Sequence, residues 1–190
     1  MHQAVDFVTD MFGDQLDLIA ATLYSCIQLE RRIIVCSTYS SISICDLFVQ
    51  DLNRLFVRST GRICAYSLNS DSRNLALLKS GNPENLFSAQ FDMVAKEGDL
   101  LLLAPAEAAV RSDRPDLGET AILKLAEHAK NLKLMTICLS SMSNDEAITA
   151  KLGSGSINVN YSAVGDSDIS TLMLMYMLQH VMRSLKQQFA

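Results

Sequence analysis

The chain has no tryptophan, and its 190 residues include only three histidines, three prolines and eight glycines. So few chain breakers exclude a collagen-like or Pro/Gly-rich disordered chain. Basic residues are also in the minority, with 16 Lys and Arg against 21 Asp and Glu, for a formal net charge of −5. Phosphate neutralisation needs clustered cations, so direct nucleic-acid binding through a basic surface is not expected. The five cysteines (Cys26, Cys36, Cys45, Cys64 and Cys138) are odd in number, widely spaced and contain no C-x-x-C pair. With so few histidines, neither a disulfide framework nor a metal site is signalled. The N-terminal residues lack the basic start and apolar core of a signal peptide. The longest apolar stretch, Ile169 to Met182, is broken by Ser170, Thr171, Gln179 and His180. It falls short of the ~20 residues that span a bilayer, so no membrane segment and a cytoplasmic location are expected.

Hydrophobic residues make up 49% of the chain, enough for a substantial core. A length of 190 residues suits one domain. A helical segment is expected over about 1–30 and an αβα core over about 31–190. Leu16, Ile19, Ala20, Leu23 and Ile27 fall on one face of a helix. Short runs rich in aliphatic residues predict strands at Arg32–Ser37, Ile63–Leu68, Leu100–Leu103, Lys133–Leu139 and Ile157–Tyr161. Helices are expected over about Ile42–Phe56, Glu84–Lys96, Glu119–Asn131 and Asp166–Gln188, with Asp71 as the N-cap of another. Apolar strands alternating with helices predict an α/β fold: a three-layer αβα sandwich around a mainly parallel five-stranded sheet. Ligands of such sheets bind at the C-terminal strand edge, near a topological switch point.

The loops at that edge carry little chemistry. After the first strand come Ser37, Thr38, Tyr39, Ser40 and Ser41. These hydroxyls before a helix start suit either anion binding or simple N-capping. No glycine lets the backbone approach a phosphate closely. After the third strand, Pro105 has no N–H to offer and Glu107 repels anions. Asp46, Asp51 and Asp71 are candidate acids near the same edge, but none has an evident acid–base partner. His2, His128 and His180 read more readily as structural histidines than as general bases. No nucleophile elbow, Walker loop or dinucleotide fingerprint is present, and no catalytic residue or cofactor is expected.

The last helix is apolar on every side over Leu172–Leu178, with Met173, Met175 and Met177 among nine methionines. A helix apolar all round is buried all round. An outer helix of a sandwich achieves that against a second subunit, so a homo-oligomer, dimer or tetramer, is expected through this helix.

Several segments in order carry a family resemblance. Ile34–Ile42 running into Asp46–Phe56, then Leu68-Asn-Ser-Asp71, Phe87-Ser-Ala-Gln-Phe91 and Gly98-Asp-Leu-Leu-Leu102 resemble a sugar isomerase (SIS) domain. Within that superfamily they are most similar to the phosphoheptose isomerases and their non-enzymatic, DiaA-like relatives, which associate with the replication initiator DnaA. The chain departs from the isomerase pattern where chemistry is done. The family's G-N-G-x-S loop is represented by Ser37–Ser41, keeping only the last serine. Its S-T-x-G-N-S loop is represented by Pro105–Val110, keeping nothing. Asp51 stands where the isomerases place a glutamate, and Leu172 where a Q-E-x-H motif places a histidine. His180 lies eight residues on, ~12 Å along the helix axis, too far to substitute. Extra residues around 108–117 suit either a cover for the old pocket or a partner-specific surface.

The resemblance therefore implies an SIS fold without isomerase chemistry: an oligomeric regulator that binds the DnaA initiator protein and not DNA. Ser37, Thr38, Ser40, Ser41, Asp51 and Asp71 are the candidates for residual ligand binding. Phe189, near the end of the last helix, is a candidate partner anchor; packing on its own subunit is the equal alternative. A phosphosugar isomerase acting on a sedoheptulose 7-phosphate type of substrate through Asp51 or Asp71, and a sugar-phosphate sensor, are the competing functions.

Overall fold

A computed structural model of the chain describes residues 2–62, 64–70, 87–106, 117–142, 145–161 and 167–189. The described elements run α1 (His2–Gln28), β1 (Ile33–Ser37), α2 (Ile42–Thr60), β2 (Ala65–Ser67), α3 (Ser88–Val94), β3 (Leu100–Ala104), α4 (Leu117–Asn131), β4 (Met135–Ser140), α5 (Asp145–Lys151), β5 (Ile157–Asn160) and α6 (Ser167–Gln188). The five strands form one all-parallel sheet in the order β2-β1-β3-β4-β5. The central pair runs in register from Ile33 opposite Leu100 to Ser37 opposite Ala104.

Strand periodicity divides the core between two faces. Ile33, Val35, Leu100, Leu102, Ile137 and Leu139 point to the layer made by α1, α2 and α6. Ile34, Cys36, Leu101, Leu103 and Cys138 point to the layer made by α3, α4 and α5. The expected helix face of Leu16, Ile19, Ala20, Leu23 and Ile27 is wholly buried. In the first layer α6 lies between α1 and α2, since it packs against both, while α1 also reaches β5 and α2 reaches β1 and β2.

Three expectations need adjusting. The second strand is shorter than Ile63–Leu68, because Leu68–Ser70 winds into a 3₁₀ turn. Helix α5 is additional to the expected helices: its seven residues bury Ile148, too little for a helical period to show. The last helix, apolar on every side over Leu172–Leu178, is not buried on every side. Its inner face buries Met173, Leu174, Met177, Leu178, Val181, Met182 and Leu185. The outer face exposes Ile169 and Leu172 near the start and turns polar at Gln179, Arg183 and Lys186.

The Gly98-Asp99 pair ties the bottom of the sheet together. Gly98 has φ +86°, and a Cβ there would meet the Arg31 guanidinium at 3.0 Å. This turn puts the buried Asp99 carboxylate under two backbone donors, accepting from Arg32 N at 2.9 Å and Lys96 N at 2.8 Å. Arg31 Nη1 donates to Glu97 O at 3.1 Å alongside. The resemblance motif Gly98-Asp-Leu-Leu-Leu102 is thus a structural clamp that sets β1 beside β3.

Helices α1 and α6 run side by side and share a polar seam. Asp17 accepts from Ser184 Oγ at 2.7 Å and pairs with His180 Nε2 at 3.0 Å. The other ring nitrogen, Nδ1, lies 3.5 Å from Thr9 Oγ1. The hydrogen bond from Ser184, then that from His180, hold the Asp17 carboxyl below its ordinary value of 3.8. Farther along, Tyr24 and Phe189 meet edge to face at 5.0 Å.

Two outcomes follow from these contacts. Asp99→Ala strands two backbone donors and is expected to lower stability by about 3 kcal/mol, read from urea unfolding. A depressed folded-state pKa stabilises above the unfolded value and stops doing so as pH falls through the folded one. The stability gap between the wild type and Asp17→Asn is therefore expected to be open at pH 7 and to shrink steadily below the ordinary carboxylate value of 3.8, read from the urea midpoint across that range.

Candidate functional site

The strand order places the topological switch between β1 and β3, because the chain leaves β1 toward β2 on one side and returns to β3 on the other. The loops after these two strands flank the crevice where such sheets take ligands. Ser37, Thr38, Ser40 and Ser41 are all at this point, as the sequence suggested. Ser37, Thr38 and Ser41 are buried, while Ser40 and Tyr39 are exposed.

The buried hydroxyls are already engaged. Thr38 Oγ1 donates to Ala106 O at 3.1 Å and accepts from Ala106 N at 2.9 Å, so one side chain closes both groups of a single residue across the crevice. Ser41 Oγ accepts from Thr38 N at 3.2 Å and lies 2.7 Å from Ala104 O and 2.5 Å from Thr38 O, its one proton serving either carbonyl. Together they stitch the loop after β1 to the loop after β3. An anion entering here would have to displace hydrogen bonds that bury well, each contributing about 1 kcal/mol net and costing more if left unmade.

Ser37 is held from the other side. Asn69 Oδ1 accepts from Ser37 N at 2.9 Å and from Ser37 Oγ at 3.1 Å, and Asn69 Nδ2 donates to Ser37 O at 2.7 Å. This amide extends the sheet beyond β2 as a side-chain surrogate for strand pairing. Ser67 Oγ accepts from Asn69 N at 3.3 Å and donates to Asp46 Oδ1 at 2.5 Å, which carries the network into α2. In the sequence Asn69 stands out only within the segment Leu68-Asn-Ser-Asp71 that carries the resemblance. A polar residue just past a strand end is the signal that would have singled it out.

Tyr39 has φ +50°, in the left-handed region. It occupies the position where the resemblance puts the second glycine of G-N-G-x-S, so the turn keeps a left-handed residue there without glycine's tolerance for it. A side chain in that region costs about 1 kcal/mol.

The remaining candidates are dispersed. Asp51 sits on the exposed side of α2, paired with Arg54 at 3.0 Å. Nine residues past the helix start, it lies ~13 Å down the axis from the crevice, and the structure does not bring it to the hydroxyl loop. Asp71 and the segment 107–116, with the inserted residues 108–117 apart from Leu117, lie outside the described residues. Leu172 is half exposed near the start of α6, in a helix that packs against the 3₁₀ turn of Tyr39–Ser41. Where the resemblance places an acid–base histidine, this chain has an exposed leucine. His180 belongs to the seam with α1, and Phe189 is partly buried against Tyr24 and the core.

No described residue at the ends of β1 to β5 (37–41, 67–70, 104–106, 140–142 and 160–161) carries a formal charge. Burial pushes the Cys26 and Cys45 thiols up to about 12, and the Cys36 thiol well up, so none is a ready nucleophile. Tyr161, buried at the end of β5, is raised for the same reason, against a hydrogen bond with Ser141 that lowers it. No group of three or more His, Cys, Asp or Glu among the described residues is placed to hold a metal ion.

No family model and no curated protein sequence matches the chain. Solved structures do match. A phosphoheptose isomerase from Francisella tularensis is 19% identical with a TM-score of 0.73, over 97% of this chain and 91% of that one. Phosphoheptose isomerase GmhA from Neisseria gonorrhoeae is 14% identical with a TM-score of 0.75, over 97% and 92%. The Vibrio vulnificus NanR protein complexed with ManNAc-6P is 12% identical with a TM-score of 0.55, over 98% of this chain and 66% of that one. At such identities the likeness establishes architecture alone, and on it this chain has the three-layer α/β fold of the SIS proteins.

Proposed function

We propose that this chain is a non-catalytic SIS-fold binding protein that works as an oligomer assembled through α6. The observation that carries the reading is the closure of the crevice loops by Thr38 and Ser41, whose hydroxyls are engaged with Ala106, Ala104 and Thr38 itself. Phosphosugar isomerisation requires a held phosphate and a positioned acid–base pair. The described strand ends offer no charged group for the first, and Leu172 and the distant Asp51 argue against the second. By resemblance to the DiaA-like branch, the partner is the replication initiator DnaA in the cytoplasm, met through the end of α6 around Phe189. An oligomer raises the effective concentration of such a partner with no chemistry of its own. No described helix is long and apolar enough to cross a membrane.

A sugar-phosphate reading has its own support. Two of the structural neighbours are phosphoheptose isomerases and a third was solved with ManNAc-6P. An isomerase would draw its base from Asp51 or Asp71; a sensor would bind at Ser37–Ser41 without turnover.

Thermal unfolding with millimolar sedoheptulose 7-phosphate or ManNAc-6P separates the three. A ligand at 100 times its Kd adds about 2.7 kcal/mol. The binding-protein reading expects no shift and no turnover; a shift that Ser41→Ala abolishes, without turnover, means a sensor, and turnover means an isomerase. Pull-down of the DnaA N-terminal domain tests the partner, with Phe189→Ala expected to weaken capture. Equal capture removes Phe189 from the contact, and no capture by the wild type rejects the initiator.

A further inference from the structure

The two edges of the sheet differ sharply in charge. Among the described residues the strand ends carry none, whereas the stretches leading into β2, β1, β3 and β4 (58–62, 29–32, 95–99 and 130–134) are rich in cations. Arg58, Arg62, Arg31, Lys96, Lys130 and Lys133 are all exposed there. The exposed acids of these stretches are Glu30 and Glu97, because Asp99 is buried beneath Arg32 N and Lys96 N. Glu30 pairs with Arg62. Farther up α3 and α4, Asp92 and Glu127 are paired with His128 and Lys151. The whole chain has a formal net charge of −5, so this edge runs against the overall balance.

Sheet topology turns these side chains into a row. Ile33 N donates to Cys64 O at 2.8 Å and Leu100 N to Arg32 O at 2.9 Å, which holds the starts of β2, β1 and β3 level. Arg62, Arg31, Lys96 and Lys133 therefore stand ahead of successive strands in the order β2-β1-β3-β4, about 4.8 Å per step, in a line of roughly 15 Å. Helix dipoles account for Arg58 and Lys130, which sit in the last turns of α2 and α4, where cations are favoured. The other four lie beyond the helix ends. Lys133 has φ +57°, and its N–H donates to Lys130 O at 3.1 Å as α4 closes. Glycine is preferred at such a left-handed helix end, as Gly61 with φ +73° illustrates after α2; here a cation holds the position. Leu29, 69% exposed, and Met135, 43% exposed, add apolar surface to the same edge.

We propose that the strand-start edge is a docking surface for a short acidic segment of a partner protein, an extended stretch of Asp or Glu flanked by apolar residues. An extended chain sets alternate side chains about 7 Å apart, so roughly five residues bring three carboxylates along the row. The flanking apolar side chains meet Leu29 and Met135. Nucleic acid fits this edge less well. No Phe, Tyr or Trp lies in 29–32, 58–62, 95–99 or 130–134 to stack a nucleobase. The net charge of −5 also opposes a long run of phosphates, while a short segment meets the edge alone. This surface goes beyond the function proposed above and needs neither a sugar phosphate nor a particular oligomer.

Fluorescence anisotropy of the full chain with the labelled peptide Leu-Glu-Ser-Glu-Ser-Glu-Leu tests it, with thermal midpoints confirming that each variant folds. Saturable binding that weakens with added salt is expected, and none to the same peptide with Gln in place of Glu. Lys133→Gly removes a cation and relieves the left-handed backbone. It is expected to keep or raise the thermal midpoint while raising the dissociation constant about fivefold, and Lys96→Glu to raise it about tenfold. Lys124→Glu, in the middle of α4, is expected to leave binding unchanged. No saturable binding of the acidic peptide, equal binding of the Gln peptide, or an equal loss in Lys124→Glu overturns the proposal. Tighter binding of a short DNA duplex or of phosphatidylserine vesicles at the same salt, lost in Lys96→Glu, overturns the protein segment as the occupant. These readouts are separate from the sugar-phosphate and initiator assays, so failure here leaves the proposed function standing.

Discussion

Parallel strands that end side by side leave backbone and side-chain polar groups at one edge of a sheet, and each buried one needs a partner. In a ligand-binding protein some of those groups wait for the ligand. Here they find one another. Thr38 closes on both backbone groups of Ala106, Ser41 spans its own turn and Ala104, and Asn69 pairs with Ser37 as a further strand residue would. Among the described residues, the loops at the switch point therefore form a joint between β1 and β3.

The helical layers divide the remaining work. The α3–α4–α5 layer buries one side of the sheet and faces water with charge, as an independent outer layer should. The α1–α6–α2 layer buries the other side and still carries large apolar side chains outward. Within it the polar contacts are few and specific: the seam of Asp17, His180 and Ser184 sets how α1 lies along α6, and Tyr24 against Phe189 pins the end of that seam. A residue near the C-terminus thereby reports on the N-terminal helix, which links any contact made at the end of α6 to the packing of the whole layer.

Much of this architecture could be read from residue order. The apolar face of α1 has a clean helical period, and the strands are short aliphatic runs that nothing else explains. Two elements escaped for physical reasons. Helix α5 buries too little to imprint a period, and Leu68, apolar like a strand residue, already belongs to the 3₁₀ turn that follows β2. The candidate site was legible in part. Ser37, Thr38, Ser40 and Ser41 do gather at the switch point, but a serine that caps, one that binds and one that staples two loops are the same letter. Asp51 is distinguished from a crevice residue only by the helix face it falls on and by Arg54 beside it.

By itself the sequence determined the class of fold, the absence of glycine from the first strand-end loop, and the lack of basic residues on α1. Each is a matter of local composition and period, which need no knowledge of neighbours. Tertiary structure alone decided that the hydroxyls are spent on Ala104 and Ala106, that Asn69 is a strand surrogate, and that the cations ahead of four strands share one edge. Those facts depend on segments far apart in the chain meeting across a sheet, and hydrogen-bond partners and shared faces exist only once that meeting has occurred.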